Sequence, residues 1–237
     1  MDVSWEDFGW ERLGRTAGRR RLPVWDATAA LVAGADGVLL YDTGSTLREG
    51  VELRTQAEAL LGRRVTHIAL SHPHFDHVLG TAAFSGAEVY GAVGTADLLG
   101  RGAGELRADA LRHGMGEADA TDALVAPRHQ VSGEWTLDLG GGLQVLLANV
   151  GPGHSGHDLA VLVPGSPVVV LCGDLVEESG EPQAGRDAVP SRWPAALDRL
   201  LELGGEDALY VPGHGAVVDA AFVRAQRDRL AVRFGVS

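Results

Sequence analysis

Three histidines and an aspartate fall within six consecutive positions, His72-Pro73-His74-Phe75-Asp76-His77, directly after the apolar run Ile68-Ala69-Leu70. Imidazoles and a carboxylate at this density form a metal-binding set, and a metal requires its donors to meet at one point in space. That requirement limits the possible folds more than any other feature of the chain. In extended chain leaving a strand, side chains two positions apart project the same way, so His72 and His74 can grip one ion together. Asp76 and His77 follow after the chain has turned, which places them for a second ion nearby. Histidine combined with carboxylate suits zinc, iron or manganese rather than calcium or magnesium.

Four donors from one loop do not complete a two-ion site, and three further candidates follow in order. His154 stands in Gly151-Pro152-Gly153-His154-Ser155-Gly156, after the strand pattern Leu143 to Val150. Asp174 ends the apolar run Val168-Val169-Val170-Leu171-Cys172-Gly173. His214 lies in Tyr210-Val211-Pro212-Gly213-His214-Gly215. Each follows a strand pattern and sits among glycines, where the backbone can turn sharply and present a side chain to a cleft. A carboxylate such as Asp174 can bridge two cations, one oxygen to each.

In these residues the chain resembles the metallo-β-lactamase fold superfamily, whose HxHxDH motif and distant H, D and H are matched by His72, His74, Asp76, His77, His154, Asp174 and His214. The resemblance covers nearly the whole chain, from Val38-Leu39-Leu40-Tyr41-Asp42-Thr43-Gly44 to Pro212-Gly213-His214-Gly215. It implies one metal held by His72, His74 and His154, a second held by Asp76, His77 and His214, and Asp174 shared between them. It also implies that Asp42 orients a ligand histidine. The fold it implies is an αββα sandwich, two mixed sheets face to face with helices outside and the metals at one sheet edge. The residues alone lead to an α/β or α+β fold. Because the ligands run from position 72 to 214, any cut between them would dismantle the site, so one domain over residues 1–237 is expected, with 1–22 as a lead-in.

Other histidines stand outside the pattern. His67 is expected to pack within its strand, and His113 and His129 to be solvated. His157, three residues past His154, could swing toward the site in a substrate or supporting role. Cys172, the sole cysteine, excludes an internal disulfide and reads as a small core residue.

Twenty basic residues against 32 acidic ones give a net charge of −12, which excludes a nucleic-acid partner because phosphate binding needs a basic face. The triplet Arg19-Arg20-Arg21 is expected to be a solvated lead-in to the first strand. The start, Met1-Asp2-Val3-Ser4-Trp5-Glu6-Asp7, lacks a basic region followed by an apolar one, and no stretch approaches the roughly twenty apolar residues of a membrane span. A cytoplasmic protein acting on a small molecule, with neither membrane nor nucleic acid as partner, is the expectation.

Along the chain, Thr28 to Ala33 and Val38 to Tyr41 form a hairpin through Gly34-Ala35-Asp36-Gly37. Leu47 to Leu61 is a helix with Val51, Leu53, Ala57, Leu60 and Leu61 inward and Gly62 past its end. Strand Thr66 to Leu70 delivers the histidine loop, then a short helix runs from Val78 to Phe84 and a strand over Glu88 to Tyr90. Gly94 to Asp122 reads as helices and loops over the site rim. Strands return at Gln130-Val131, Glu134 to Leu139, Leu143 to Val150, Leu159 to Val163 and Val168 to Cys172. The Glu177 to Arg192 loop is long enough to be functional. Pro194 opens a helix, Ala208 to Val211 is a strand, and Asp219 caps a last helix with Phe222, Val223, Leu230 and Phe234 inward. The rim is expected to include Trp25, the Ser45 to Arg48 turn and Trp193, while Trp5, Phe8 and Trp10 dock the N-terminus.

The chemistry that follows is that of a zinc-dependent hydrolase, with iron or manganese as alternative metals. Two divalent ions lower the pKa of a bridging water from about 16 to near 7, giving a hydroxide that attacks a carbonyl. The expected reaction is hydrolysis of an ester, thioester, lactone or amide, with Asp76 also moving the proton to the leaving group. Class B β-lactamases carry a basic residue shortly after the position of Asp174 to hold the drug's carboxylate. Here that place reads Glu177-Glu178, which disfavours an anionic substrate. Persulfide dioxygenases of this fold use one iron on two histidines and an aspartate, available here as His72, His154 and Asp174, and the spacing fits both readings.

Overall fold

The computed structural model describes residues 4–120 and 123–236. Met1 to Val3 and the last two residues of the Gly94 to Asp122 segment lie outside the described residues. Two mixed β-sheets lie face to face, with helices against their outer surfaces.

The first sheet holds seven strands in chain order: β1 (Glu11–Arg12), β2 (Ala17–Arg21), β3 (Thr28–Ala33), β4 (Val38–Tyr41), β5 (His67–Ala69), β6 (Glu88–Ala92) and β7 (His129–Val131). β1 to β4 pair antiparallel and β4 to β7 parallel. The second sheet is β8 (Glu134–Asp138), β9 (Gln144–Asn149), β10 (Leu159–Val163), β11 (Val169–Glu177) and β12 (Leu209–His214), antiparallel except for β11 with β12. Alternation of side chains across each strand produces three apolar layers. Ala30, Val32, Leu39 and Tyr41 face the second sheet's Leu147, Val161, Leu171 and Val211 in the central core. Ala29, Leu31, Val38 and Leu40 point outward onto the helix α1 (Leu47–Leu61). Val170, Cys172 and Tyr210 pack against the helices α6 (Trp193–Gly204) and α7 (Ala220–Phe234).

The ends of α1 follow local chemistry. Thr46 accepts a hydrogen bond from the Glu49 backbone N–H at the start, and Gly62 ends the helix at φ +64°, where a side chain would be strained. Leu53 and Ala57 are buried as expected, but Val51 is exposed. Asp219 caps α7 by accepting from the Phe222 N–H at 2.8 Å. The chain turns helical earlier than the Val78 to Phe84 reading: α2 (Phe75–Val78) begins one residue after extended His74 and carries Asp76 and His77. The segment after β6 forms α3 (Thr95–Arg101), α4 (Ala103–Arg112) and α5 (Glu117–Ala120).

The lead-in is only partly solvated: Arg21 is exposed, but Arg19 is not. Residues 17–21 are a strand in which Arg19 is 4% exposed, paired with Glu11 at 2.8 Å and donating to the Gly215 carbonyl. Arg20 pairs with Glu52 and Arg21 with Asp26. Three arginines read as a soluble run because the acids that match them, Glu11, Glu52 and Asp26, lie outside it. Trp10 docks as expected, buried, with its indole N–H on Gln56 at 2.7 Å.

Candidate metal centre

All seven predicted donors converge at one edge of the sandwich, delivered by strand ends, the turns after them, helix α2 and an irregular stretch of β11. β5 leads into His72 and His74, and α2 supplies Asp76 and His77. His154 follows β9, Asp174 lies within β11, and His214 closes β12. Around Asp174 the pairing of β11 with β12 slips in register, and Gly173 takes φ +57°. This irregularity turns the carboxylate toward the histidines. A methyl group on Gly213 would overlap Asp174 Oδ1, so a bare glycine is required there.

The donor atoms form two groups sharing Asp174. His72, His74, His154 and Asp174 offer atoms all within 4.8 Å of one another, and so do Asp76, His77 and His214. Asp174 Oδ2 lies 3.7 Å from His72 Nε2, 3.4 Å from His154 Nε2 and 3.4 Å from His214 Nε2. Its Oδ1 is 3.2 Å from His77 Nε2. Asp76 Oδ2 stands 3.3 Å from His214 Nε2 and 3.5 Å from His77 Nε2. Donors at about 2.0–2.1 Å in a tetrahedron stand roughly 3.3 Å apart, so these separations match the edges of metal polyhedra.

Hydrogen bonds on the outer side fix which nitrogen of each ring faces inward. His77 Nδ1 bonds Asp42 Oδ2 at 2.8 Å, His154 Nδ1 the Gln183 carbonyl at 3.1 Å, and His214 Nδ1 the Trp25 carbonyl at 2.9 Å. Ser71 Oγ engages His72 Nδ1 at 2.8 Å. These four rings therefore aim Nε2 at the centre. His74 is reversed, with Nε2 on Asp187 at 2.9 Å and Nδ1 inward, 3.0 Å from His154 Nε2. Three buried inward atoms, His72 Nε2, His77 Nε2 and Asp174 Oδ1, have no hydrogen-bond partner. Leaving such groups unsatisfied is costly, and cations held between them would remove that cost, so the residues present fit divalent metals.

Electrostatics divide the histidines. Burial pushes His72 well down and His154 down to about 4, partly opposed by Asp174. Burial also acts to lower His77 and His214, but the carboxylates of Asp76 and Asp174 overcome it. His77 rises well above the usual range and His214 to about 11.

Asp42 sits behind the ligands as the sequence implied, 1% exposed at φ +58°, also accepting the Ser71 N–H at 2.7 Å. Short polar side chains tolerate that left-handed conformation better than most. His67 is half-buried against Thr66, away from the donors. One expectation for the outer histidines fails, that of a solvated His129, and the alternative of a site role for His157 is not taken up. His157 turns its Nδ1 to the Val93 carbonyl at 2.7 Å instead of the site, and His129 stacks on Tyr90 and pairs with Glu88. His113, though exposed, packs beside Trp25 and Phe75. The Ser45 to Arg48 turn is not on the rim; Ser45 is buried, with its N–H and hydroxyl both on Glu49. Trp193 lies beneath the site, fully buried against the His154 ring.

Above the donors opens a cavity of 940 Å³. Trp25, Phe75 and the α3–α4 residues Leu98, Leu99 and Leu106 form one wall, and loop residues from Ser179 to Asp187 form the other. Sequence reasoning flagged this loop by its length but not Asp187, whose role depends on a contact across 113 positions.

A sandwich of two mixed sheets with histidines and aspartates at one edge defines a metallo-β-lactamase-like protein. The family model of the metallo-β-lactamase superfamily matches residues 22–214, and the chain belongs to that superfamily. It is similar to metallo-β-lactamase domain-containing protein 1 of Xenopus laevis, 27% identical over 194 residues, covering 80% of this chain and 71% of that protein. It is also similar to metallo-β-lactamase type 2 of Bacillus cereus, 24% identical over 198 residues, covering 82% and 69%. Among solved structures, a metallo-β-lactamase from Pontibacter korlensis superposes with a TM-score of 0.73 at 22% identity, covering 93% of this chain and 97% of that one. The mono-zinc form of FIM-1 from Pseudomonas aeruginosa gives 0.72 at 17%, covering 96% of each. Among the described residues, no helix is long and apolar enough to cross a membrane.

Proposed function

We propose that the protein is a dinuclear, zinc-dependent hydrolase of small molecules that cleaves an ester, thioester, lactone or amide carbonyl. The observation that carries this reading is the set of buried, unpartnered inward atoms, His72 Nε2, His77 Nε2 and Asp174 Oδ1, at the meeting point of two donor groups. His72, His74 and His154 would hold one cation, Asp76, His77 and His214 the other, and Asp174 both. A pair of divalent cations there supplies Lewis-acid polarisation of a carbonyl and a nucleophile available at neutral pH.

The chain's own residues do the rest. The outward hydrogen bonds of the five histidines lock the rings in ligating tautomers, and the Asp42–His77 pair does so entirely within the core. Asp76 lies on the cavity lining beside His214, placed to carry a proton toward a leaving group. The apolar wall of Trp25, Phe75 and Leu106 excludes water from one side of the carbonyl. A concave site of this size suits a small substrate, and the net charge of −12 supports the absence of a nucleic-acid partner.

Relatives named for β-lactam hydrolysis share the fold, but Glu177 follows Asp174 on the cavity lining and opposes an anionic drug. A mononuclear iron oxygenase would use His72, His154 and Asp174. The hydrolytic reading is favoured because His74 also turns a nitrogen into the same group. The test is turnover of an ester, thioester, lactone and amide panel by zinc-reconstituted protein. Asp174→Ala should reduce kcat/KM by at least about a thousandfold, and near-wild-type turnover in that variant would sink the assignment.

A further inference from the structure

Two of the three consecutive arginines close on His214 from behind. Side chains alternate along β2, so Arg19 and Arg21 share a face with the core residue Ala17, while Arg20 turns to Glu52 on α1. Arg19, 4% exposed, is held by Glu11 at 2.8 Å and donates through Nη1 to the Gly215 carbonyl at 2.7 Å. Arg21 grips both oxygens of Asp26 at 2.6 Å, between Trp25 and Ala27. The Trp25 carbonyl holds the His214 ring through Nδ1, and Ala27 forms a β-bridge to the His214 backbone. Glu178 completes the turn from the other side: its N–H donates to the His214 carbonyl at 3.1 Å, and its Oε2 accepts from the Ala216 N–H at 2.7 Å. Gly215 turns at φ +97°, which glycine leaves as readily as it enters, so bonds from outside decide where the turn sits. Of the seven donors these bonds touch His214 alone. Both ends of the Arg19–Gly215 bond lie outside the span 22–214 that the family model matches, so the resemblance does not supply it.

From this arrangement we infer that Arg19 is a positioning residue for the metal held by Asp76, His77 and His214, acting through the backbone of the turn that carries His214. The inference rests on the dinuclear hydrolytic reading. A guanidinium fork can hold Glu11 and a carbonyl at once, and a hydrogen bond from a charged donor, buried away from water, is stronger than a neutral one. Its loss frees the Gly215 peptide and loosens the His214 ring against the geometry that a metal needs. The imidazoles of the other donor group keep their own supports on Ser71, Asp187 and Gln183.

The experiment measures stepwise zinc affinity by chelator competition in the wild-type chain, Arg19→Gln and Arg20→Gln. Spectra of the cobalt(II) form tell the positions apart, because one carries two histidine rings and the other three. Arg20→Gln is the control, since it removes an ion pair of the same strand on the opposite face. In Arg19→Gln the two-histidine position should weaken about 10–100-fold, the range for loss of an outer support. The three-histidine position, and both positions in Arg20→Gln, should stay within about threefold. The kcat/KM of Arg19→Gln should fall as that metal is lost and recover in excess zinc. If Arg19→Gln does not fold, Arg19→Lys, which keeps the charge without the fork, carries the same order of effects. Unchanged affinity at the two-histidine position, or equal weakening of both positions, would overturn the inference, the second by making Arg19 a support of the fold alone. Selective weakening with no turnover of any panel substrate would contradict the hydrolytic reading while supporting the role of Arg19. A wild-type chain that takes up a single metal would contradict the dinuclear reading and the inference with it.

Discussion

Behind His77 stands Asp42, its side chain 1% exposed inside the first sheet and both its oxygens engaged. Behind His74 stands Asp187, on a loop, its side chain 41% exposed. The same division separates His214 from His154, while His72 leans on buried Ser71. His214 leans on a backbone carbonyl beside β3, whereas His154 leans on Gln183, again in the loop. One donor group, Asp76, His77 and His214, is therefore braced by the folded core, and the other leans in part on the 177–192 loop. Two donor groups that share Asp174 can thus differ in how firmly they are held, according to whether their supports are core or surface.

The heaviest blow to this contrast would strike both positions at once. Gly213→Ala places a methyl group against Asp174 Oδ1 and must displace the shared carboxylate. We expect both metals to weaken and kcat/KM to fall at least about a hundredfold, checked by metal content and panel turnover. Asp42→Ala should act on one position only. It leaves His77 buried without its partner, costs about 3–5 kcal/mol of stability in denaturant unfolding, and weakens the core-supported metal about 10–100-fold.

Proton competition should also separate the positions. In the metal-free protein His214 keeps its proton up to about pH 11, because Asp174 and Asp76 outweigh burial, whereas burial holds His154 neutral down to about 4. A cation entering the Asp76–His77–His214 position must displace protons at neutral pH, so its apparent affinity rises with pH, by up to about tenfold per unit for each proton released. In the other group His72 and His154 need no such displacement, and only His74, raised by Asp187 against burial, holds its proton more tightly than a free imidazole. Without metal, the raised His214 value stabilises the fold fully below its unfolded pKa, and that contribution fades as pH climbs through about 11. Calorimetric titration in buffers of different ionisation enthalpy would count the protons. The smallest effect is expected for Asp187→Asn, an exposed partner: at most about tenfold in affinity at the loop-supported position. Thermal stability should change little.

Much of this arrangement was legible in the chain. His72, His74, Asp76 and His77 stood out by their density, His154, Asp174 and His214 by the apolar runs and glycines around them, and Asp36-Gly37 and Gly62 marked the hairpin and the end of α1. What escaped depends on distant contacts. β1 and β2 are rich in charge, and their strand pairing on β3 and the matching of the three arginines by Glu11, Glu52 and Asp26 leave no apolar pattern to read. Asp187 looks like any loop aspartate until His74 is beside it. His157 was open to a supporting role by its place three residues past His154, but the turn held by Asp158 on the Gly153 and Ser155 N–H groups points it to Val93.

The most direct test of the central claim is elemental analysis of protein purified from medium balanced in zinc, iron and manganese, paired with the hydrolysis panel. The account predicts two zinc ions per chain in active protein, falling toward one in Asp42→Ala. One iron per chain, with oxygen consumption and no hydrolysis, would contradict it.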